Sequence, residues 1–255
     1  MMKIDINADV GESYGVFKIG EDQHLFQNIT SANIACGFHA GDYNVMQTSV
    51  ALAAERGIAV GAHPGYPDLH GFGRRVLDMS VREIYNCLVY QIGALKAFCD
   101  VNGISLQHVK PHGALYNKGT SDVKVAAAIA EAVYDVAPQA FLYGLAGSEL
   151  LKQGYKIGLK TAAEAFADRT YTEEGYLTNR SHPHSVLSDR DVILEQVKQI
   201  VLHKKVRTVT GSWISLDAKT ICFHGDGQNA AAITHLIRTE LEKDGVTFQS
   251  VGDMT

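Results

Sequence analysis

Asp9, His39, His63, His112 and His224 are far apart in the chain, yet each follows a short apolar run. Five runs that end in the same residue types imply strand ends converging on one site. Two chemistries suit such a set. Three or four convergent imidazoles and carboxylates hold a divalent metal for hydrolysis, with Asp9, His39 and His63 as candidate ligands. Alternatively, histidines at strand ends serve as hydrogen-bonding or general acid/base groups. No HxxxH or HExxH pattern selects the first option. Asp5, Asp9, Glu12 and Asp42 add carboxylates whose mutual repulsion raises a pKa toward that of a general base. Asp9 is the first choice as base or ligand, whereas Asp42 reads equally as a helix N-cap.

Lys110, Arg74, Arg75, Arg169 and Arg180 fall near the same predicted mouth and would suit a carboxylate or a phosphate-bearing intermediate. Some of these arginines read equally as surface ion pairs. Lys110 differs because it lies inside an apolar strand, where a lysine requires a partner. Gly225-Asp226-Gly227 precedes the last predicted helix, and a helix N-terminus with flexible backbone can hold an anion. Neither GxxxxGK[ST] nor GxGxxG occurs, so nothing marks a nucleotide pocket.

The positioning elements follow from periodicity. Strands are predicted over 3–7, 31–35, 58–62, 106–110, 140–145, 155–160 and 221–223. Helices run from Asp42 or Asn44 to Gly57, from the Ser80/Glu83 capping box to Asn102-Gly103, from Ser121 or Asp122 to Pro138, over 147–153, from Ser188 and Asp191 onward, and over 226–243. Gly211-Ser212 marks a hairpin within 206–216. The connection 161–188 is predicted as a long functional loop carrying Glu164, Asp168, Arg169, Tyr171, Arg180, His182 and His184. Strand and helix alternate, which requires parallel strands with helices outside. An open sheet would use mainly the loops at its switch point, whereas here polar residues follow at least five strands. The expectation is therefore an α/β fold, a seven-stranded parallel β/α barrel of TIM-barrel type, as one domain over 1–255.

Hydrophobic residues at 46% and charged residues at 20% fit a globular chain. A net charge of -5 with scattered Lys and Arg excludes a basic stripe for nucleic acid or a polybasic membrane patch. Small-molecule chemistry is the remaining class. No run reaches the roughly 18 apolar residues of a membrane helix. The acidic opening has no signal-peptide core, so a cytoplasmic location is expected. The four cysteines lack CxxC spacing and read as reduced thiols.

Longer motifs bring a family into view. DINADVGE at 5–12, NIACGFHAGD at 33–42, GAHPGYPD at 61–68 with GFGRR at 71–75, VKPHGALYN at 109–117, EAFADR at 164–169 with Tyr171, and CFHGD at 222–226 resemble the LamB/YcsF family. The likeness runs in order along nearly the whole chain. It implies a seven-stranded barrel similar to those of glycoside hydrolases and polysaccharide deacetylases. It also implies one subunit of the prokaryotic ATP-dependent 5-oxoprolinase, working with two further subunits, B and C, to convert 5-oxoproline to glutamate. Self-association is left open.

A five-membered lactam resists hydrolysis, so ATP, bound here or by the partners, would phosphorylate the amide oxygen before water attacks. On this reading Asp9 or His39 positions water, Lys110 and His112 steady an oxyanion or phosphate, and Arg74 or Arg169 holds the substrate carboxylate. Asn7, Glu12, His63 and His224 complete the expected substrate contacts. Two alternatives stand beside it: a metal-dependent amide or carbohydrate hydrolase working alone, and a non-catalytic subunit that delivers substrate.

Overall fold

The computed structural model describes residues 2–224 and 229–254. Its strands are β1 (Met2–Val10), β2 (Ser31–Ala35), β3 (Ala59–His63), β4 (Leu106–Val109), β5 (Phe141–Leu145), β6 (Thr161–Phe166), β7 (Lys205–Arg207), β8 (Trp213–Ser215), β9 (Thr220–Phe223) and β10 (Val246–Phe248). Its helices are α1 (Asp22–Leu25), α2 (Tyr43–Arg56), α3 (Val81–Val101), α4 (Gly113–Ser121), α5 (Val123–Val136), α6 (Glu149–Ile157), α7 (Arg190–His203) and α8 (Ala230–Lys243). Among the described residues, seven parallel strands close a barrel in the order β1-β2-β3-β4-β5-β6-β9, and β9 returns to β1 through Asp5↔Thr220 to Ala8↔Phe223.

Closure works because these strands can be buried on both faces. In β1 the period of two sends Ile4, Ile6, Ala8 and Val10 toward the helices and Asp5, Asn7 and Asp9 toward the barrel axis. The helices are set by local signals. Asp42 Oδ1 accepts from the backbone N–H of Asn44 and Val45 to cap α2, while its Oδ2 accepts from Gly15 N and ties down the loop after β1. Its capping role is thus the one the structure displays. Ser80 and Glu83 form the capping box of α3.

Several sequence expectations need correction. The strand expected over 155–160 is the end of α6 and its turn, with Gly158 at φ 95° as the left-handed stop. Tyr155, Ile157 and Leu159 alternate like a strand, but Ser148 caps a helix that carries through the first two of them. The real strand, β6, begins at Thr161, which moves Glu164 from a loop into the barrel wall. The segment after β4 forms α4 despite its two glycines, because Ala114, Leu115 and Tyr116 bury themselves against the barrel. β1 continues to Val10, three residues past the expected end. β9 is not the last parallel strand, since β10 adds to the start of β1. The β7–β8 hairpin forms as expected. Gly225-Asp226-Gly227, the candidate anion-holding turn, lies outside the described residues.

Two interior features carry predictions. The His108 ring, from β4, stacks on Tyr143 at 4.2 Å and occupies the space over Gly61, so a Cβ at position 61 would collide with it. Gly61→Ala is expected to cost about 1–3 kcal/mol in urea unfolding. Stability equal to the parent would contradict this packing.

Asp5 sits fully buried and accepts from Thr30, Ser31, Thr220 and Tyr143 hydroxyls. Burial nevertheless pushes its carboxyl up to about 6. A raised carboxyl pKa favours the protonated native state. Asp5 therefore contributes stability that is complete below its unfolded pKa of 3.8 and is lost as pH rises through about 6. Relative to Asp5→Asn, the parent should lose about 2 kcal/mol between pH 4 and pH 7. A pH-independent difference between the two in chemical unfolding would count against it.

Candidate functional site

The inward residues of β1, β2, β4, β6 and β9 build a charged floor. Lys110 follows β4 with its ammonium fully buried, and it donates to Asp9 Oδ1 at 2.9 Å, pairs with Glu164 Oε1 at 3.0 Å and donates to Cys222 Sγ at 2.8 Å. Asn33 Nδ2 donates to Asp9 Oδ1 as well, at 2.8 Å. Asn7 Nδ2 and the Tyr116 hydroxyl both donate to Glu164. Burial alone would raise the Asp9 carboxyl, but His63 and Lys110 hold it well below the usual carboxylate range. Burial likewise opposes the charge on Lys110, and Asp9 ahead of Glu164 overcomes this and raises it well above an ordinary lysine. The Cys222 thiol is pushed up by burial and stays neutral.

Above this floor lie three imidazoles. His63 Nδ1 donates to the Lys110 carbonyl at 2.7 Å and His112 Nε2 donates to the Phe72 carbonyl at 2.9 Å, since a carbonyl can only accept. These bonds fix both tautomers. His63 Nε2 then faces His112 Nδ1 at 2.9 Å and Asp9 Oδ2 at 3.3 Å. His39 stacks on His112, with centroids 3.8 Å apart and rings 4° from parallel. Burial first, and the neighbouring imidazoles second, hold His39 and His112 well below the usual histidine pKa. Glu12 Oε1 lies 3.6 Å from His39 Nε2 and 3.8 Å from His112 Nδ1. Gly73, at φ 62°, passes so close that a Cβ there would lie 2.8 Å from both His112 Cδ2 and His39 Cβ.

Glu12, His39, His63 and His112 each offer one ligand atom, all within 4.8 Å of one another, and could hold a metal ion. The donor chemistry fits a divalent cation. His63 and His112 are neutral-donor tautomers whose far nitrogens bind backbone carbonyls, the usual outer contact of metal-bound histidine. Neither ring nitrogen of the buried His39 has a hydrogen-bond partner among the described residues.

The sequence matches the LamB/YcsF family over residues 4–255. The chain belongs to the LamB/YcsF family. It is 49% identical to the A subunit of 5-oxoprolinase from Halalkalibacterium halodurans over 99% of this chain and 98% of that one. It is 51% identical to the corresponding 5-oxoprolinase subunit of Bacillus subtilis, over the same shares of the two chains. A crystal structure of the lactam utilization protein from Thermus thermophilus superposes with a TM-score of 0.91 at 43% identity, covering 98% of this chain and all of that one.

In this LamB/YcsF protein the sequence-predicted residues do not form one cluster. Asn7, Asp9 and Lys110 belong to the floor, and Glu12, His39, His63 and His112 to the imidazole tier. Asp9, His63, Lys110 and His112 line a cavity of about 560 Å³ at the strand ends, whose rim includes Arg74, Arg169, Arg180 and His224. Arg75 instead pairs with Asp68, and it does not line the cavity. Arg169 is buried in the connection between β6 and α7, where Nε donates to Ser185 O at 3.0 Å and an NH2 group to Thr178 O at 2.6 Å.

Sequence reasoning missed Asn33 in the floor and Lys118 on the cavity wall, and it placed Glu164 in a functional loop rather than in the floor. Glu164 carries the signal that singled out Lys110, one charge inside a run of small apolar residues. It was obscured by the misplaced strand.

Proposed function

We propose that this chain is the lactam-opening A subunit of an ATP-dependent 5-oxoprolinase, which converts 5-oxoproline to L-glutamate together with subunits B and C. The names of the relatives support the substrate. The observation that carries the chemistry is the ionised Asp9 facing His63 at 3.3 Å on the floor of an arginine-rimmed cavity. ATP phosphorylates the lactam oxygen, water adds to the activated carbon, the ring C–N bond breaks with the nitrogen taking up a proton to become the amino group, and a second water releases phosphate from the resulting acyl phosphate to leave glutamate. Asp9 accepts a hydrogen bond from the attacking water and orients it. His63 lies within reach to take the water's proton and pass it toward the departing nitrogen. Asn33 and Lys110 hold the Asp9 carboxylate still.

Lys110 donates to Asn7, Asp9 and Cys222 and pairs with Glu164, so it acts as a fixed positive charge rather than as a donor to substrate. A divalent cation held by Glu12, His39, His63 and His112 would supply Lewis-acid activation of water or of the carbonyl oxygen, with His63 then serving as its ligand and Asp9 left to take the water's proton. The rim arginines suit the anionic substrate. The sequence has no phosphate-cradling fingerprint, which fits ATP being handled by the partner subunits in the cytoplasm.

The test is to isolate the chain with whatever accompanies it and assay glutamate formation from 5-oxoproline. ATP-dependent activity in the complex that disappears from the chain purified alone is the expected result. The imidazole and carboxylate cluster favours a second reading, a metal-dependent amide or carbohydrate hydrolase. ATP-independent turnover by the isolated, metal-loaded chain would establish that reading instead.

A further inference from the structure

The connection between β6 and α7 brings Asp168 and Arg180 against His224, which follows β9, in one chain of hydrogen bonds beside the cavity. An Arg180 NH2 group lies 3.1 Å from His224 Nε2, and both Asp168 carboxylate oxygens lie 2.9 Å from His224 Nδ1. A guanidinium can only donate, so Nε2 is the accepting nitrogen and Nδ1 carries the proton given to Asp168. The imidazole is therefore a neutral spacer between a carboxylate and a guanidinium. It is itself fixed by stacking on Phe166, with centroids 5.5 Å apart.

The other cations have different attachments. Lys110 directs its three N–H groups into the floor. Arg169 binds Ser185 and Thr178 carbonyls and fastens the connection. Arg74 lies over the Phe72 ring, on the side of the imidazole tier. Arg180 is the rim arginine presented by a purpose-built support, and Phe166 beside it offers an apolar wall to ring methylenes.

We propose that Arg180 receives the carboxylate of a lactam acid, with His224 and Asp168 as positioning residues that aim its guanidinium into the cavity. This rests on the 5-oxoprolinase reading for its substrate class, and it moves the carboxylate contact from Arg74 or Arg169 to Arg180. A forked guanidinium bound to a carboxylate discriminates strongly against a lactam without one.

Titration calorimetry on the full chain tests it, with 5-oxoproline and its carboxylate-free analogue 2-pyrrolidinone as probes. Arg180→Gln should weaken 5-oxoproline binding about 10- to 100-fold and leave 2-pyrrolidinone binding unchanged. His224→Phe keeps the stack on Phe166 but removes both hydrogen bonds, so it should show the same selective loss in smaller measure. His224→Gln can still donate to Asp168 and accept from Arg180, and it should restore most of the binding. Equal weakening of both probes, no weakening of either, or no 5-oxoproline binding by the parent chain would overturn the assignment. The activity of the assembled complex decides the 5-oxoprolinase reading separately, because a parent chain that binds 5-oxoproline through Arg180 while its complex forms no glutamate would reject only that reading.

Discussion

Replacing Lys110 with methionine should destabilise the protein by about 3–5 kcal/mol and remove turnover. Methionine fills a similar volume, so packing changes little. What it removes is the positive charge held between Asp9 and Glu164, leaving two carboxylates buried at the barrel axis. In the parent, Asp9 has a depressed pKa, so its contribution is present above the unfolded value and fades as pH falls through the native one. In Lys110→Met the sign reverses, because an unpaired buried carboxylate gains from protonation. The gap between parent and variant should be widest near neutral pH and narrow toward pH 4. Adding Glu164→Gln to Lys110→Met should recover about 1–3 kcal/mol by removing one stranded charge. Urea unfolding over that pH range reads all three. A variant within about 1 kcal/mol of the parent at pH 7, on the scale expected of surface changes, would show that the floor is not the charge-balanced unit described.

Asp9→Asn should lower kcat about 10²- to 10⁴-fold in the assembled complex with KM little changed. The amide preserves shape but cannot act as a charged acceptor toward water and Lys110. The same variant should still bind 5-oxoproline, since the rim arginines are untouched. This pairing separates catalysis from delivery. A protein that only carried substrate would lose nothing beyond binding, so unchanged kcat in Asp9→Asn would favour the carrier reading. Circular dichroism and unfolding of the variant guard against a folding defect, because Lys110 loses one of its two counter-charges.

The barrel was legible because its apolar runs close on chemistry, with Asp9 and Lys110 as charges among apolar neighbours and His63 and His112 at or just past the strand ends. Strand limits were less legible. Gly158 follows a stretch whose alternation imitates a strand, and only the Ser148 cap and the packing of Leu150 reveal the helix. Glu164 was displaced into a loop by that error. α4 was missed because its glycines and asparagine weaken intrinsic propensity while tertiary burial of its apolar face decides the outcome. The grouping of Glu12 with His39, His63 and His112 has no local spacing to announce it, since the four residues follow β1, end β3, or sit in the loops after β2 and β4. Tautomers are a further step removed, because the carbonyls that fix them come from Phe72 and Lys110.

The closure of β9 onto β1 has a consequence for how the chain reaches this state. Asp5 and Thr220 are hydrogen-bonded across 215 residues of sequence, and Lys110 meets Cys222 across 112. During synthesis at about 5–20 residues per second, β1 must therefore wait tens of seconds or less for its second neighbour. Through that interval one edge of β1 is unpaired and the carboxylates of the floor are hydrated. Non-local pairing of this kind slows folding, and an open apolar edge invites misassociation. The nascent barrel should accordingly depend on chaperones until β9 has left the ribosome, and chains truncated before residue 220 should aggregate rather than fold.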